Sequence, residues 1–398
     1  MPVAAAIKET LGSQSMIRKM FEEGKVLKKQ YGDDNVFDFS LGNPDVEPPP
    51  AFHRVLVKMA QEDLKGSHGY MSNSGYPEVR QALAEKVSRE HGVNIDASHI
   101  VMSCGAAGGV NVVFKAILNP GDEVIVPCPY FMEYRPYAAN HGGKIVDAPT
   151  GQDFSLDIQS IREKLSPKTA AVMINSPNNP TGRIYPAKDI AALAALLEEH
   201  GKKCGRAPYL ISDEPYRDIA YDNAEVASIL PAYKESIIVS SYSKSLSLPG
   251  ERIGYIAAGP DVTDKQTLLD AFIYATRVLG FVNAPALMQR IVAELTFARV
   301  DLEIYAGRRA AFTKILDDVR ISYANPEGAF YLFCKVPQRE NGSAGDDLAF
   351  VEHLKKHLIL GVPGRGFGAP GWLRFAYCVD EKIIRASGPS FKKAMESW

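Results

Sequence analysis

Cysteine is scarce in this chain. Its 398 residues include five, Cys104, Cys128, Cys204, Cys334 and Cys378, scattered along the length with no Cys-x-x-Cys pair. A disulfide-built scaffold is excluded, and an odd, sparse set points to a reducing, cytoplasmic setting. The eight histidines show no His-Glu-x-x-His or similar spacing, so no metal centre is expected. His200 and Cys204, four residues apart near a helix end, are too little for one. Charge of one sign is also missing. Lys plus Arg is 45 and Asp plus Glu is 47, a formal net charge of -2. That balance argues against a nucleic-acid binder built on a basic domain and against an acidic disordered chain. A small anionic ligand stays open, because it needs only a few placed cations. No apolar run approaches the ~18 residues of a membrane span; Ala191–Leu197 is flanked by Asp189 and Glu198. The start, Met1 to Glu9, has no basic stretch leading into an apolar one, so no signal peptide is expected. The glycine fingerprint of a nicotinamide-binding oxidoreductase is absent as well.

What is present suits a globular enzyme. Hydrophobic residues are 46% and charged residues 23%, and the length provides two or three domains' worth of core. Pro48-Pro49-Pro50 reads as an extended crossover after an N-terminal arm. The stretch 341–347 reads as a surface loop. Between them helix and strand alternate. Val79, Leu83 and Val87 share one helical face over 78–91, with Gly92 as the C-cap. Val110, Val113, Phe114, Ile117 and Leu118 suit a buried helix stopped by Asn119-Pro120-Gly121-Asp122. Ile190, Leu193, Leu196 and Leu197 repeat at helical spacing up to Gly201. Apolar runs at 123–126, 169–175, 209–212, 237–240 and 254–258 read as short strands. The alternation predicts an α/β fold with a mostly parallel sheet covered on both faces. From about Ala293 the chain carries more charge and mixed elements, consistent with a smaller second domain.

In such sheets ligands sit beyond the carboxyl ends of the strands, and there four polar clusters follow the predicted runs. They are Ser176-Pro177-Asn178-Asn179-Pro180-Thr181-Gly182, Asp213-Glu214-Pro215-Tyr216, Ser241-Tyr242-Ser243-Lys244, and Ser103 to Gly108 before a helix. Gly105, Ala106 and Ala107 at a helix start offer backbone N–H groups to a phosphate. Ser241, Ser243 and Arg252 add donors to the same anion. Lys244 lies beside them, where a desolvated amine near other cations becomes nucleophilic. Asp213 is suited to hold a protonated ring nitrogen. A phosphate seat, a Schiff-base lysine and an acid for a pyridinium together specify pyridoxal 5'-phosphate.

The ordered set resembles the class I/II aminotransferases of fold type I, the aspartate aminotransferase-like enzymes, from Leu41-Gly42-Asn43-Pro44 to Arg374. Its most specific part is Ser-x-Ser-Lys followed eight residues later by Arg252, within Gly-Glu-Arg-Ile-Gly. The resemblance implies a large domain with a mostly parallel seven-stranded sheet, residues 51–292, and a smaller α+β domain. Residues 1–50 would supply the arm and part of the small domain, and 293–398 the rest. It implies that Lys244 bonds the cofactor and shuttles the proton between substrate Cα and cofactor C4′, and that Asp213 keeps the pyridine nitrogen protonated. Tyr216 and Asn179 would bond the phenolic oxygen, and Phe131 would stack on the ring. Gly105, Ala106, Ala107, Ser241, Ser243 and Arg252 would form the phosphate cup, with Tyr70 reaching it from the neighbouring subunit of a homodimer. Arg374 would clamp the substrate α-carboxylate, with Gly42 and Asn179 beside it. Pro363 to Gly368 is similar to a loop near the substrate. The partners implied are an amino acid and a 2-oxo acid, with no nucleic acid and no membrane.

Two positions depart from the family pattern: Pro215, where an aliphatic residue is commoner, and Arg365, where a small residue is frequent. Each site residue alone also has a plainer reading. Lys244 could be a solvated charge, Asp213 a helix N-cap, Asn178 to Gly182 a turn, and Phe131 or Tyr70 plain core or interface. Gly105 to Gly108 could be tight packing at a helix start, and Arg374 an ion pair. Their order along one chain favours the site. Two other activities are compatible with parts of the pattern. A pyridoxal-phosphate-dependent C–S β-lyase would share the cofactor cup. A serine acyl enzyme would use Ser241-x-x-Lys244 with Ser212-Asp213-Glu214 and Lys168-Thr169-Ala170, although the motif order is reversed. By the resemblance, aspartate with 2-oxoglutarate is the leading substrate pair, with aromatic or neutral amino acids close behind, and Arg277 and Arg365 are candidate cations for a side-chain carboxylate.

Overall fold

The computed structural model describes residues 3–4, 7–8, 16–62, 64–339 and 345–398. Residues 341–344 of the expected loop, and most of the first nine residues, lie outside them. In chain order the strands are β1 (Phe37–Asp38), β2 (Ile100–Ser103), β3 (Glu123–Cys128), β4 (Lys144–Pro149), β5 (Thr169–Asn175), β6 (Tyr209–Asp213) and β7 (Ser236–Ser241). They continue with β8 (Gly254–Ala258), β9 (Tyr323–Ala324), β10 (Tyr331–Lys335), β11 (Ile359–Leu360), β12 (Val362–Pro363) and β13 (Trp372–Ala376).

The middle of the chain builds one seven-stranded sheet in the order β2-β8-β7-β6-β5-β3-β4. β3, β4, β5, β6 and β7 are parallel, and β8 runs antiparallel to both its neighbours. All seven residues of β5 are buried, because helices cover both faces and neither side of the pleat meets water. Successive side chains feed opposite cores, as a two-residue period requires. Val172, Ile174, Leu210 and Ile238 join the core with helices Pro77–His91, Ala187–Cys204 and Ala286–Glu294. Ala171, Met173, Ile211, Ile237 and Val239 join the core with helices Gly105–Ile117 and Lys265–Val278.

Helix Pro77–His91 buries Val79, Leu83 and Val87 and ends at Gly92 in the left-handed region, φ 65, as its periodicity predicts. Helix Ala187–Cys204 runs past Gly201, and its left-handed cap is Gly205. Gly201 instead admits the returning chain, since a Cβ there would stand 2.9 Å from the Ala207 Cα. Pro50 is the first residue of helix Pro50–Glu62 rather than part of an extended run, a position where its missing N–H costs nothing. Asp347 is not loop but the first residue of a helix. Asp346 caps helix Asp347–Lys356 by accepting from the Ala349 N–H. No helix among the described residues is long and apolar enough to cross a membrane.

The chain's two ends pack together. β12-β13-β10-β9 form an antiparallel sheet, and β1 pairs in parallel with β11. One core holds Met20, Phe37 and Phe39 with Phe312, Phe333, Phe375 and Phe391. Phe39 is hydrogen-bonded on both sides, its N–H to the Leu360 carbonyl at 3.0 Å and its carbonyl to the Ala376 N–H at 2.8 Å. Its ring lies 4.6 Å from that of Phe312 and 6.1 Å from that of Phe375. This anchor carries Ser40, Leu41 and Gly42 to the carboxyl edge of the large sheet. Phe39→Ala is expected to cost about 3–5 kcal/mol of stability, read as a lower urea midpoint. An unchanged midpoint would show that the N-terminal segment is held elsewhere.

Candidate active site

Six strands end on one edge of the large sheet, at Ser103, Cys128, Pro149, Asn175, Asp213 and Ser241. Antiparallel β8 begins there with Gly254, paired with both Ser241 and Ser103. The edge, the Leu41–Gly42 segment and two residues of the C-terminal sheet enclose a cavity of about 260 Å³. Gly42, Ala106, Ala107, Phe131, Asn179 and Asp213 line it, as do Tyr216, Ser241, Ser243, Lys244, Arg252 and Arg374. Dispersed over more than three hundred positions of sequence, these residues converge because most close or follow a strand ending at that edge, while Arg252 precedes β8, and Gly42 and Arg374 come from the packed chain ends.

One end of the cavity gathers hydrogen-bond donors suited to an anion. Helix Gly105–Ile117 starts with no side-chain cap from Cys104, which leaves its first N–H groups and its positive dipole end free for a ligand. Gly105, φ 71, is pressed against Arg252, and a Cβ there would stand 2.6 Å from Arg252 Nη2. Arg252 Nη1 donates to the Pro249 carbonyl at 2.9 Å, which aims the guanidinium at the helix start. The hydroxyl-bearing Ser241 and Ser243 line the same end.

The middle holds a buried acid and a buried amine. Asp213 Oδ2 accepts from the Tyr134 hydroxyl, while Asp213 Oδ1 is buried with no protein partner. Burial raises this carboxyl to about 7, against the opposing pull of the Tyr134 hydrogen bond. Asn175 fixes the neighbourhood, donating to the Asp213 carbonyl at 2.8 Å and accepting from the Asn179 N–H at 2.7 Å. Lys244 lies in the short helix Tyr242–Ser245 directly after β7. Its Nζ donates to the Gly42 carbonyl at 2.6 Å. Burial lowers the amine to about 8, and the positive charges of Arg374 and Arg252 act in the same direction. An amine near neutrality is a usable nucleophile and base.

The far end is a guanidinium. Arg374 on β13 is buried; its Nη1 donates to Asn179 Oδ1 at 2.9 Å and its Nη2 to the Ser40 carbonyl at 2.7 Å. Its Nε has no protein partner. Rings of Tyr331 and Phe367 lie 4.4 and 4.7 Å from its Cζ. Among the described residues no carboxylate neutralises it, so it forms no structural ion pair and its free N–H capacity suits an anion. The Tyr216 hydroxyl is 2.8 Å from that of Tyr331.

Several expectations land elsewhere. Tyr70 is 92% exposed and outside the cavity of its own chain. Arg365 is occupied: its N–H and Nε each bond the Asp347 carboxylate at 2.9 Å, and its Nη2 meets Asp346. It is therefore not free to meet a substrate carboxylate. Arg277 is exposed in the last turn of helix Lys265–Val278, outside the cavity. Pro215 lines the cavity beyond the end of β6, so its missing N–H breaks no ladder bond. The serine acyl arrangement does not form. Lys168 precedes β5 at the amino edge, whereas Ser241 ends β7 at the carboxyl edge, about 20 Å away along seven residues of strand. Among the described residues no three His, Cys, Asp or Glu side chains are grouped as a metal set.

Tyr134, Asn175 and Tyr331 were not singled out from sequence. Tyr134 had a signal, three residues after Phe131 and hence on the same side of a turn. Asn175 had a weaker one, as a polar residue closing a buried strand. Tyr331 had none, because only the pairing of β10 with β13 brings it beside Arg374.

Known proteins carry the same framework. Residues 34–386 match the family Aminotransferase class I and II. A probable aspartate/prephenate aminotransferase of Aquifex aeolicus is 31% identical over 91% of both chains. An aromatic-amino-acid aminotransferase of Thermococcus litoralis is 29% identical over 96% of both. Among solved structures, an amino transferase from Eubacterium rectale superposes with a TM-score of 0.95 at 36% identity, covering 100% of this chain and 99% of that one. The Thermus thermophilus aspartate aminotransferase with maleate gives 0.85 at 27% identity, covering 96% and 97%. With the family matched across most of its length around a cavity that holds a buried amine, acid and guanidinium, this chain belongs to the class I and II aminotransferases.

Proposed function

We propose that the cavity binds pyridoxal 5'-phosphate and that the enzyme moves an amino group from an L-amino acid to a 2-oxo acid. The observation that carries this reading is the buried, unpartnered Asp213 Oδ1 in the same cavity wall as the Lys244 amine. A buried carboxylate oxygen without a donor is costly, and a protonated ring nitrogen would satisfy it. The fit extends to both ends. The Gly105–Ala107 helix start, Ser241, Ser243 and Arg252 suit the phosphate, and Asn179 and Tyr216 the phenolic oxygen, with Phe131 against the ring. When bound, the cofactor supplies an electron sink for the pair left at the substrate Cα.

The chain's own residues do the rest. Arg374 binds the α-carboxylate through its remaining N–H groups, with Asn179 and the Gly42 backbone setting the register. Lys244, its amine lowered toward neutrality, would be the base that takes and holds the substrate Cα proton. The second substrate reverses these steps, giving ping-pong kinetics. Tyr70, exposed and outside its own cavity, would reach the phosphate in a neighbouring copy, making the working unit a homodimer. A cytoplasmic setting is supported by five unpaired cysteines. The boundary between large and small domains would fall between Leu295, in one core, and Val300, in the other, just past the expected residue 292.

Aspartate with 2-oxoglutarate is the proposed pair, supported by relatives named as aspartate aminotransferases, including one from Pyrococcus horikoshii 29% identical over 96% of this chain. An aromatic donor is the second reading. It is favoured by the cavity itself, whose lining cations are Lys244, Arg252 and Arg374. None of these is left for a second carboxylate, so an aspartate enzyme needs one from a neighbouring copy, for which Arg277 is exposed.

Lys244→Ala is expected to lower amino exchange by about 10²–10⁴-fold and to abolish the pH-titratable absorbance of the lysine-linked cofactor; persistence of both sinks the assignment. In the cofactor-free chain, arylation of Lys244 by fluorodinitrobenzene, an electrophile that does not itself titrate, followed by mass spectrometry, should be slow at low pH. It should rise to half its plateau near pH 8, since the lowered amine loses its proton there. A profile still climbing at the ordinary lysine pKa would contradict a desolvated amine. A panel of amino donors against 2-oxoglutarate tests the substrate. Inert aspartate alongside reactive tyrosine selects the aromatic reading, and pyruvate plus ammonia released from cysteine without an acceptor would mark a lyase.

A further inference from the structure

Tyr331 opens β10 and is buried. In the sheet register Tyr331 pairs with Ala376 and Phe333 with Arg374. Tyr331 and Arg374 therefore stand on the same face, on the diagonal of adjacent strands. The Tyr331 ring lies 4.4 Å from the Arg374 guanidinium carbon, a contact that a desolvated site strengthens. Its hydroxyl meets that of Tyr216 at 2.8 Å, and among the described residues neither hydroxyl has another hydrogen-bond partner.

Burial pushes the Tyr331 phenol up to about 12 and holds that of Tyr216 well above its usual value. Both therefore keep their protons at neutral pH. Two protonated hydroxyls that share one hydrogen bond have one proton to spare. If Tyr331 donates, Tyr216 is free to donate into the cavity; if Tyr216 donates, it presents only lone pairs there. The reading of Tyr216 given above selects the first arrangement: once Tyr216 donates to the phenolic oxygen, Tyr331 is left as the donor of the pair. The Gly42 backbone stands so close that a Cβ would collide with the Tyr331 hydroxyl, which holds that hydroxyl in place. The titratable and charged groups facing the pair are Arg374 on β13, Cys378 just beyond it, Asp213 at the end of β6, and Lys244 after β7.

We propose that Tyr331 is a positioning residue of the aminotransferase site, with its hydroxyl donating to Tyr216 so that the Tyr216 proton points to the cofactor, and its ring holding Arg374 where the substrate carboxylate arrives. This rests on the reading of Tyr216 and Arg374 given above. The hydroxyl and the ring are separable. Tyr331→Phe removes the first, and Tyr331→Met removes both while filling much of the volume.

The test uses the pyridoxal-phosphate-loaded enzyme and two readouts: the pH midpoint of the cofactor's absorbance without substrate, and KM for the amino donor. Tyr331→Phe should raise the midpoint by about one pH unit, because an oxygen that loses a donor holds its own proton more tightly. Its KM should stay within about twofold, because the ring under Arg374 remains. Tyr331→Met should shift the midpoint and also raise KM about tenfold. In the Tyr216→Phe/Tyr331→Phe double variant the midpoint should move no further than in Tyr216→Phe alone, as expected of hydroxyls acting in series. An unmoved midpoint in Tyr331→Phe, additive shifts in the double variant, or an unchanged KM in a folded Tyr331→Met would overturn the proposal. The two Phe arms preserve ring volume and decide it without the Met variant. Arg374→Lys separates the underlying reading. An unchanged KM there overturns the carboxylate assignment itself, whereas a raised KM with silent Tyr331 variants overturns only the role of Tyr331.

Discussion

The hydrogen bond from Lys244 Nζ to the Gly42 carbonyl joins the two halves of the molecule at the point where its chemistry is concentrated. Lys244 is fixed by the large sheet, just after β7, and Gly42 by the core of the chain's two ends through Phe39. A buried amine needs an acceptor, and a backbone carbonyl satisfies it without fixing its charge. A carboxylate in that place would have bound the proton tightly and raised the amine's pKa. The rest of the cavity follows from keeping this amine solvated by dipoles and by no opposite charge.

The same rule governs the other ionisable groups. Arg374 is held by the Asn179 amide oxygen, a carbonyl and aromatic rings, and Asp213 by a tyrosine hydroxyl. Desolvation then shifts Lys244 and Asp213 toward neutrality, and each keeps unused hydrogen-bonding capacity. Carboxylates capable of neutralising arginines are present elsewhere, as Asp346 and Asp347 do for Arg365. The contrast separates an arginine spent on two carboxylates at a helix start from one kept open in the cavity. Aromatic residues replace acids around the open one, because rings stabilise a guanidinium without occupying its N–H groups.

Much of this architecture was legible beforehand, for local reasons. The buried strands read as continuous β-branched runs, as in Ile237-Ile238-Val239, because both faces of the sheet are covered. β2 and β4 escaped notice. β2 is only four residues long, and β4 is an edge strand whose Lys144 and Asp147 interrupt the apolar pattern. Gly201 was misread as a helix end because close approach and capping both select glycine, and sequence alone does not distinguish them.

The sequence by itself determined which residues at element ends come together at the cavity: Lys244, Asp213, Asn179, Arg252 and the Gly105 helix start. Each lies next to a strand or turn with its own local signature, and their order is specific. Tertiary structure alone decided which side chains face one another across elements. Tyr134 under Asp213, Tyr331 between Tyr216 and Arg374, and Gly42 over Lys244 depend on strand register and on the docking of the two chain ends. Those contacts span up to 202 positions of sequence. A hydrogen bond between distant residues leaves no periodic trace in either segment, so it becomes visible only once the chain is folded.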